Sequence, residues 1–282
     1  MRSFINVEDI EKYLSNGKLK LPKDAILTPY AMDYITEKKI SVLYEEKDSQ
    51  SGREIQVNKN SQNGLPLDGE EIRQQIIDTC LWLAEKGLVI GTWGNVSVRL
   101  ADGNILITPS KVPYEDMKPE DLVVLSPDGR TVKGFRMSTS EREIHRGILN
   151  KRWDVNAVIH THSAYAMACC AIDGGIPPMS EEMAQLLGGG VPISSKFVPS
   201  EKHVELGKEI TDCIGNANAI LIRNHGPVCL GRDLKEARTC AQVVEKSAKM
   251  YLHLREAGGI NVIEDRWVKA GRIYFTDAYG KT

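Results

Sequence analysis

The stretch Val155-Asn156-Ala157-Val158-Ile159-His160-Thr161-His162 decides the reading of the fold. Its apolar run reads as a strand, and it ends on two of the six histidines. Side chains at i and i+2 of a strand share a face, with Cα atoms roughly 6–7 Å apart, so two imidazoles there can converge on one ion. Alone, the pair is weak evidence for a metal, and the plainer reading is two partly exposed histidines at a strand end. A second apolar run, Ala219-Ile220-Leu221-Ile222-Arg223, breaks into Asn224-His225-Gly226-Pro227. Glycine permits a sharp turn there, and a histidine at such a break is placed to face a cleft. Three neutral imidazoles with an open coordination position are the usual set of a catalytic zinc, not a structural one. His145, His203 and His253 lie in helical stretches and read as packing or surface residues.

A carboxylate stands near the start of a helix, in Arg136-Met137-Ser138-Thr139-Ser140-Glu141-Arg142-Glu143-Ile144-His145. Both Ser138…Glu141 and Ser140…Glu143 have capping-box spacing. The same hydroxyls and free N–H groups also make an anion site. Two further loops are rich in hydroxyls and amides: Gly91-Thr92-Trp93-Gly94-Asn95-Val96-Ser97 and Thr108-Pro109-Ser110-Lys111-Val112-Pro113-Tyr114. Taken singly, each reads as a turn.

Outward from these motifs, helical and strand patterns alternate. Asp68 is placed to cap a helix through Ile72, Ile76, Cys80 and Ala84. Short strands are expected at 95–100, 105–108 and 121–126, and a helix from Ser140. Ser200 is placed to cap a helix ending near Ile214, and Asp233 with Glu236 to open a long helix to about Glu256. The result is an α/β domain with many short strands. Ahead of it, 47–67 is polar, contains glycine and lacks any period, as a linker does. The reading therefore divides the chain into a small helical module at 1–46, a linker at 47–67 and the larger α/β domain at 68–282. Within the module, a helix is expected near Val7, a second one opened by Thr28-Pro29, and a strand at 40–44.

Charge and cysteine usage narrow the function further. Thirty-six Lys and Arg against thirty-eight Asp and Glu leave no field that favours nucleic acid or an anionic membrane. No apolar stretch approaches the roughly 20 residues of a membrane span, and the N-terminus turns acidic before a secretory core can form. A cytoplasmic protein is expected. Its six cysteines form no C-x-x-C pair and read as reduced core residues, so a metal would fall to histidine and carboxylate.

Five segments in order resemble the class II aldolase/adducin head family, most closely its L-fuculose-phosphate aldolase-like members. They are the loop from Gly91 to Arg99, Ile107-Thr108-Pro109-Ser110-Lys111-Val112-Pro113-Tyr114, Ser140-Glu141-Arg142-Glu143-Ile144-His145, Val158-Ile159-His160-Thr161-His162, and Arg223-Asn224-His225-Gly226. The resemblance covers about 68–256 and implies a three-layer α/β/α subunit with a central mixed, largely antiparallel sheet. It also implies a homotetramer with sites between subunits. One Zn2+ per subunit would sit on His160, His162 and His225, with Glu141 as the adjacent acid/base. A sugar phosphate would lie among Gly94, Asn95, Ser110, Thr139 and Ser140. Two departures stand out. Lys111 replaces a glycine in the second phosphate loop, where it can add a charge to the clamp or simply point to solvent. The family's assisting tyrosine falls near Glu182, leaving Tyr274 or Tyr279 in the tail as substitutes.

The resemblance implies retro-aldol cleavage of a deoxy-ketose 1-phosphate to dihydroxyacetone phosphate and an aldehyde such as lactaldehyde. On the same metal site it also admits a pentulose-phosphate 4-epimerase or a sugar-phosphate dehydratase. A non-enzymatic, adducin-like interaction module is the third reading. Leu21-Pro22-Lys23-Asp24-Ala25-Ile26-Leu27-Thr28-Pro29-Tyr30-Ala31-Met32-Asp33-Tyr34 resembles extensions on enzymes of bacterial microcompartments. It implies docking to a shell or cargo partner; the plainer reading is an extension that stabilises an oligomer.

Overall fold

The computed structural model describes residues 65–277 and, before them, 4–5, 7–15, 18–22, 26–27, 34–35, 38 and 40–44. The chain divides into two compact units, Met1–Lys59 and Asn60–Thr282. The expected Thr28-Pro29 helix start, most of the 47–67 linker and Tyr279 lie outside the described residues.

The first unit holds more strand than a helical module would. After β1 (Phe4–Ile5) and α1 (Val7–Tyr13) come β2 (Leu14–Ser15), β3 (Lys18–Leu21), β4 (Ile26–Leu27) and β5 (Ser41–Tyr44). β3 pairs antiparallel with β2 and parallel with β5. Alternation sends Leu19 and Leu21 inward to Ile5, Ile10 and Ile35, while Lys18 and Lys20 stay exposed. Four residues ending at a proline give too short a period-2 signal to be read from sequence.

The second unit is built on a seven-stranded sheet. Its helices are α2 (Glu70–Glu85), α3 (Arg142–Lys151), α4 (Ala164–Cys170), α5 (His203–Cys213), α6 (Leu234–Glu256) and α7 (Asp265–Asp277). Its strands are β6 (Asn95–Arg99), β7 (Ile105–Ile107), β8 (Val123–Leu125), β9 (Thr131–Lys133), β10 (Ala157–His160), β11 (Ala219–Ile222) and β12 (Gly226–Gly231). The order is β11-β12-β10-β6-β7-β8-β9. Every ladder in this sheet is antiparallel, and the parallel component shrinks to one isolated bridge, Ile193 to Leu221.

Strand alternation creates two cores, one on each face. Val96, Val98, Ala157, Ile159 and Leu221 pack with α2, α4 and α6; Ile105, Ile107, Val158, Ile220 and Val228 pack with α3 and α5. This is the α/β/α sandwich. Helix α3 lies close against α5, because a Cβ on Gly207 would come within 2.7 Å of the Glu143 backbone.

Local expectations fail where a stronger partner competes. Asp68 does not cap α2; Gly69 occupies that position, and the carboxylate goes to Arg73 and Lys133. Lys202, not Ser200, precedes α5. Asp233 does cap α6 by accepting from the Glu236 N–H at 2.7 Å, but the Glu236 carboxylate turns to Arg232. Strand β12 escapes the sequence reading, since Gly226-Pro227 looks like a break. All five residues from Pro227 to Gly231 are buried with Gly226 between β11 and β10. Among the described residues, no helix is long and apolar enough to cross a membrane.

Candidate active site

Strand β10 delivers His160 at its end, opposite Asn95 of β6 and Val228 of β12. His162 follows two residues later, and His225 sits in the tight turn between β11 and β12. Asn224 turns that corner in the left-handed region (φ 55°), which asparagine tolerates better than most residues. The three ring centroids lie 4.9–5.0 Å apart, and the ligand-capable atoms fall within 4.8 Å of one another. The Pro227 carbonyl can only accept, so His160 Nδ1, 3.0 Å away, carries its hydrogen there. That leaves the Nε2 lone pair facing His162 Nε2 at 3.0 Å. Converging ring nitrogens beside a carboxylate suit a divalent cation, and these residues fit one.

Gly226 makes this convergence possible. A Cβ there would run into the Thr161 carbonyl and stand 3.1 Å from the His160 ring and 3.2 Å from the His162 ring. Gly226→Ala is expected to cost about 1–3 kcal/mol by overpacking and to spread the histidines. Denaturant unfolding and metal titration check this, and a variant that matches the parent in both would refute it.

Glu141 closes the fourth side. Its Oε1 lies 3.0 Å from His225 Nε2, and its Oε2 lies 3.4 Å from His160 Nε2 and 2.7 Å from the Asn95 amide nitrogen. The capping-box expectation fails because Glu141 itself occupies the position before α3 and turns its carboxylate to the histidines. Glu143 pairs with Arg146 instead. Burial works against ionising Glu141, but His160, His225 and the Asn95 amide outweigh it and hold the carboxyl well below its usual range. Burial also pushes His160 and His145 down to about 3, and lowers His162. His160 and His145 are therefore neutral near pH 7.

A pH dependence of stability follows from these shifts. Above about pH 6.5 the rings are neutral in folded and unfolded chains alike. As pH falls from there toward about 3, the unfolded chain takes up protons that the native one refuses. Stability then drops by about 1.4 kcal/mol per pH unit for each such histidine. Glu141 adds to the loss below its ordinary value of 4.5. Denaturant melts of the metal-free protein from about pH 7 to 5 check this; a flat profile would contradict it, because carboxylates alone lose little stability there.

The residues expected to hold a phosphate lie on loops stitched together largely by backbone. Ser110 N–H donates to the Met137 carbonyl at 2.9 Å and Thr139 N–H to the Thr108 carbonyl at 3.0 Å, while the Tyr114 hydroxyl donates to the Gly94 carbonyl at 2.6 Å. Gly94, Ser110, Thr139 and Ser140 thus sit on three joined loops. Lys111, exposed and at φ 60°, forms no ion pair among the described residues. Thr139 Oγ1 lies 3.3 Å from the Glu141 N–H. The Asn95 amide is committed to Glu141 and His145. Glu182 pairs with Lys246 at 2.7 Å on α6, and Tyr274 lines a groove between α7 and the 183–187 turn with Glu181, Gln185 and Trp267. The sequence reading misses His145, which touches the site through Asn95. Its one signal is the i, i+4 spacing from Glu141.

A three-histidine pocket with an adjacent carboxylate, at the strand ends of an antiparallel α/β/α sandwich, defines a class of metal-assisted enzyme sites. The profile of the Class II Aldolase and Adducin N-terminal domain matches residues 74–252, and the chain belongs to that family. It is 32% identical over 207 residues to the L-ribulose-5-phosphate 4-epimerase UlaF of Salmonella paratyphi A, covering 70% of this chain and 91% of that enzyme. The solved structure of an L-fuculose 1-phosphate aldolase superposes with a TM-score of 0.70 at 27% identity, covering 74% of this chain and 97% of that one. The L-fuculose-1-phosphate aldolase from Thermus thermophilus shares the fold, with a TM-score of 0.55 at 24% identity, over 68% and 98% of the two chains.

Proposed function

We propose that the protein is a metal-dependent class II aldolase. It cleaves a deoxy-ketose 1-phosphate of the L-fuculose 1-phosphate type to dihydroxyacetone phosphate and an aldehyde such as lactaldehyde. The observation that carries this reading is the Glu141 carboxylate, 3.0 Å and 3.4 Å from two of the three clustered histidines and flanked by the three joined loops. His160, His162 and His225 hold the ion, with Zn2+ the expected one. When bound, it supplies Lewis-acid stabilisation of the negative charge left as the C3–C4 bond breaks. Glu141, ionised, takes the proton of the C4 hydroxyl and returns it to C3 of the enediolate half. Ser110, Thr139, Ser140 and the Gly94 backbone bind the phosphate, and Lys111 adds a positive charge at the rim.

Exposed apolar side chains gather on the segments around this pocket, among them Ile90, Trp93, Phe135 and Met137. Such side chains beside a pocket suit a subunit contact, in keeping with a homotetramer whose sites lie between subunits. Glu182, Tyr274 or Tyr279 would then reach a neighbour's site. The N-terminal unit, with its own small core, docks the enzyme to a microcompartment shell or cargo, where confinement would retain the reactive aldehyde. Cytoplasmic residence follows from the same reading.

The identity to UlaF favours a second reading, a pentulose-phosphate 4-epimerase, in which the aldehyde half turns and adds back instead of leaving. Incubation of metal-loaded protein with ketose 1-phosphates and with L-ribulose 5-phosphate separates the two. Triose phosphate release from a ketose 1-phosphate is expected. An isomerised pentulose phosphate, or a dehydrated ketone from a dehydratase, without triose phosphate would displace the aldolase reading. Purified protein without stoichiometric metal or turnover would restore the adducin-like one.

A further inference from the structure

Behind Glu141 runs a buried polar chain that neither the histidine cluster nor the phosphate loops account for. Asn95 and Ser97 stand two apart on β6, on the face turned toward α3, and His145 of α3 bridges them. His145 Nδ1 lies 2.7 Å from Ser97 Oγ, and its Nε2 contacts Asn95 Oδ1. Asn95 Nδ2 in turn lies 2.7 Å from Glu141 Oε2. Ser97 and His145 are wholly buried, and Asn95 is 4% exposed.

Donor and acceptor roles along this chain follow from its end. An ionised carboxylate only accepts, so Asn95 Nδ2 donates, which leaves Asn95 Oδ1 as the acceptor toward His145. His145 Nε2 must then carry the hydrogen. A neutral imidazole has one N–H, so Nδ1 accepts and the Ser97 hydroxyl donates. Every donor points toward Glu141, and bonds aligned in one direction polarise one another.

We propose that His145 is a positioning residue: as the Nε2–H tautomer it fixes the Asn95 amide, which holds the Glu141 carboxylate against the three histidines. Asn95 thereby serves the carboxylate first, and only its second amide hydrogen remains for a substrate oxygen. The catalytic consequence rests on the aldolase reading given above; the tautomer does not.

Two measurements on the full-length, metal-loaded protein test this. With 15N-labelled histidine, NMR is expected to show His145 protonated at Nε2 and bare at Nδ1. The reverse tautomer would overturn the proposal even if no sugar phosphate were turned over. On whichever sugar phosphate the parent converts, His145→Leu is expected to lower kcat about 10- to 100-fold. KM stays within about twofold, and metal remains at one per chain. His145→Gln can donate to Asn95 and accept from Ser97, so it restores kcat to within about threefold of the parent. A merely structural role predicts equal loss in both variants, or none in either, and each of those outcomes refutes the idea. Should His145→Leu fail to fold, the tautomer of the parent and the rate of His145→Gln still decide.

Discussion

Glu141→Gln is expected to lower sugar-phosphate cleavage by about 10²- to 10⁴-fold, the range a positioned acid/base supplies, while metal binding persists. Glutamine has nearly the same shape and can still accept from the Asn95 amide, 2.7 Å away in the parent. Its nitrogen, however, neither takes nor returns a proton. Removing the charge leaves the histidine nitrogens without the carboxylate now 3.0 Å and 3.4 Å from two of them. The three ring nitrogens remain in place as ligands. Turnover measured alongside metal content by emission spectroscopy separates the two effects. Retained cleavage with metal bound would remove Glu141 from its assigned role, and loss of both would recast it as a ligand.

Metal removal should act on stability as well as on turnover. An ion that binds only the folded chain stabilises it by about 4 kcal/mol when present at a thousand times its dissociation constant. For a domain of this size that corresponds to a fall in Tm on the order of 10 °C on chelation. Adding Zn2+ back should restore both Tm and turnover. His162→Ala is expected to abolish this response while leaving the core intact, because His162 lies at the rim of the cluster with His160 wholly buried beneath it. Calorimetry with and without chelator checks this, and a Tm indifferent to metal in the parent would argue against a resident ion.

Several features of the fold are legible because they depend on near neighbours in sequence. The apolar run before His160 and the Asp233 cap of α6 belong to that class, as does the turn at His225. Strand β12 is not legible, although it carries Pro227, because its Gly-Pro start resembles a break until β10 and β11 flank it. The largely antiparallel sheet is implied by the family resemblance and not by any local pattern, since chain order alone does not say which strands pair.

For the site, the residue types and their local placement are written in the sequence: a histidine pair at a strand end, a histidine in a glycine turn, a carboxylate at a helix start. Periodicity and turn chemistry are local, so one segment suffices to read them. That these pieces meet is implied by the family resemblance and by no single segment; the tertiary structure brings them together and places His145 behind them. Glu141 and His145 lie one helical turn apart, but Asn95, which joins them, comes from a strand 46 residues from Glu141. Such a contact is set by how β6 and α3 pack across the sheet, and no local pattern encodes it.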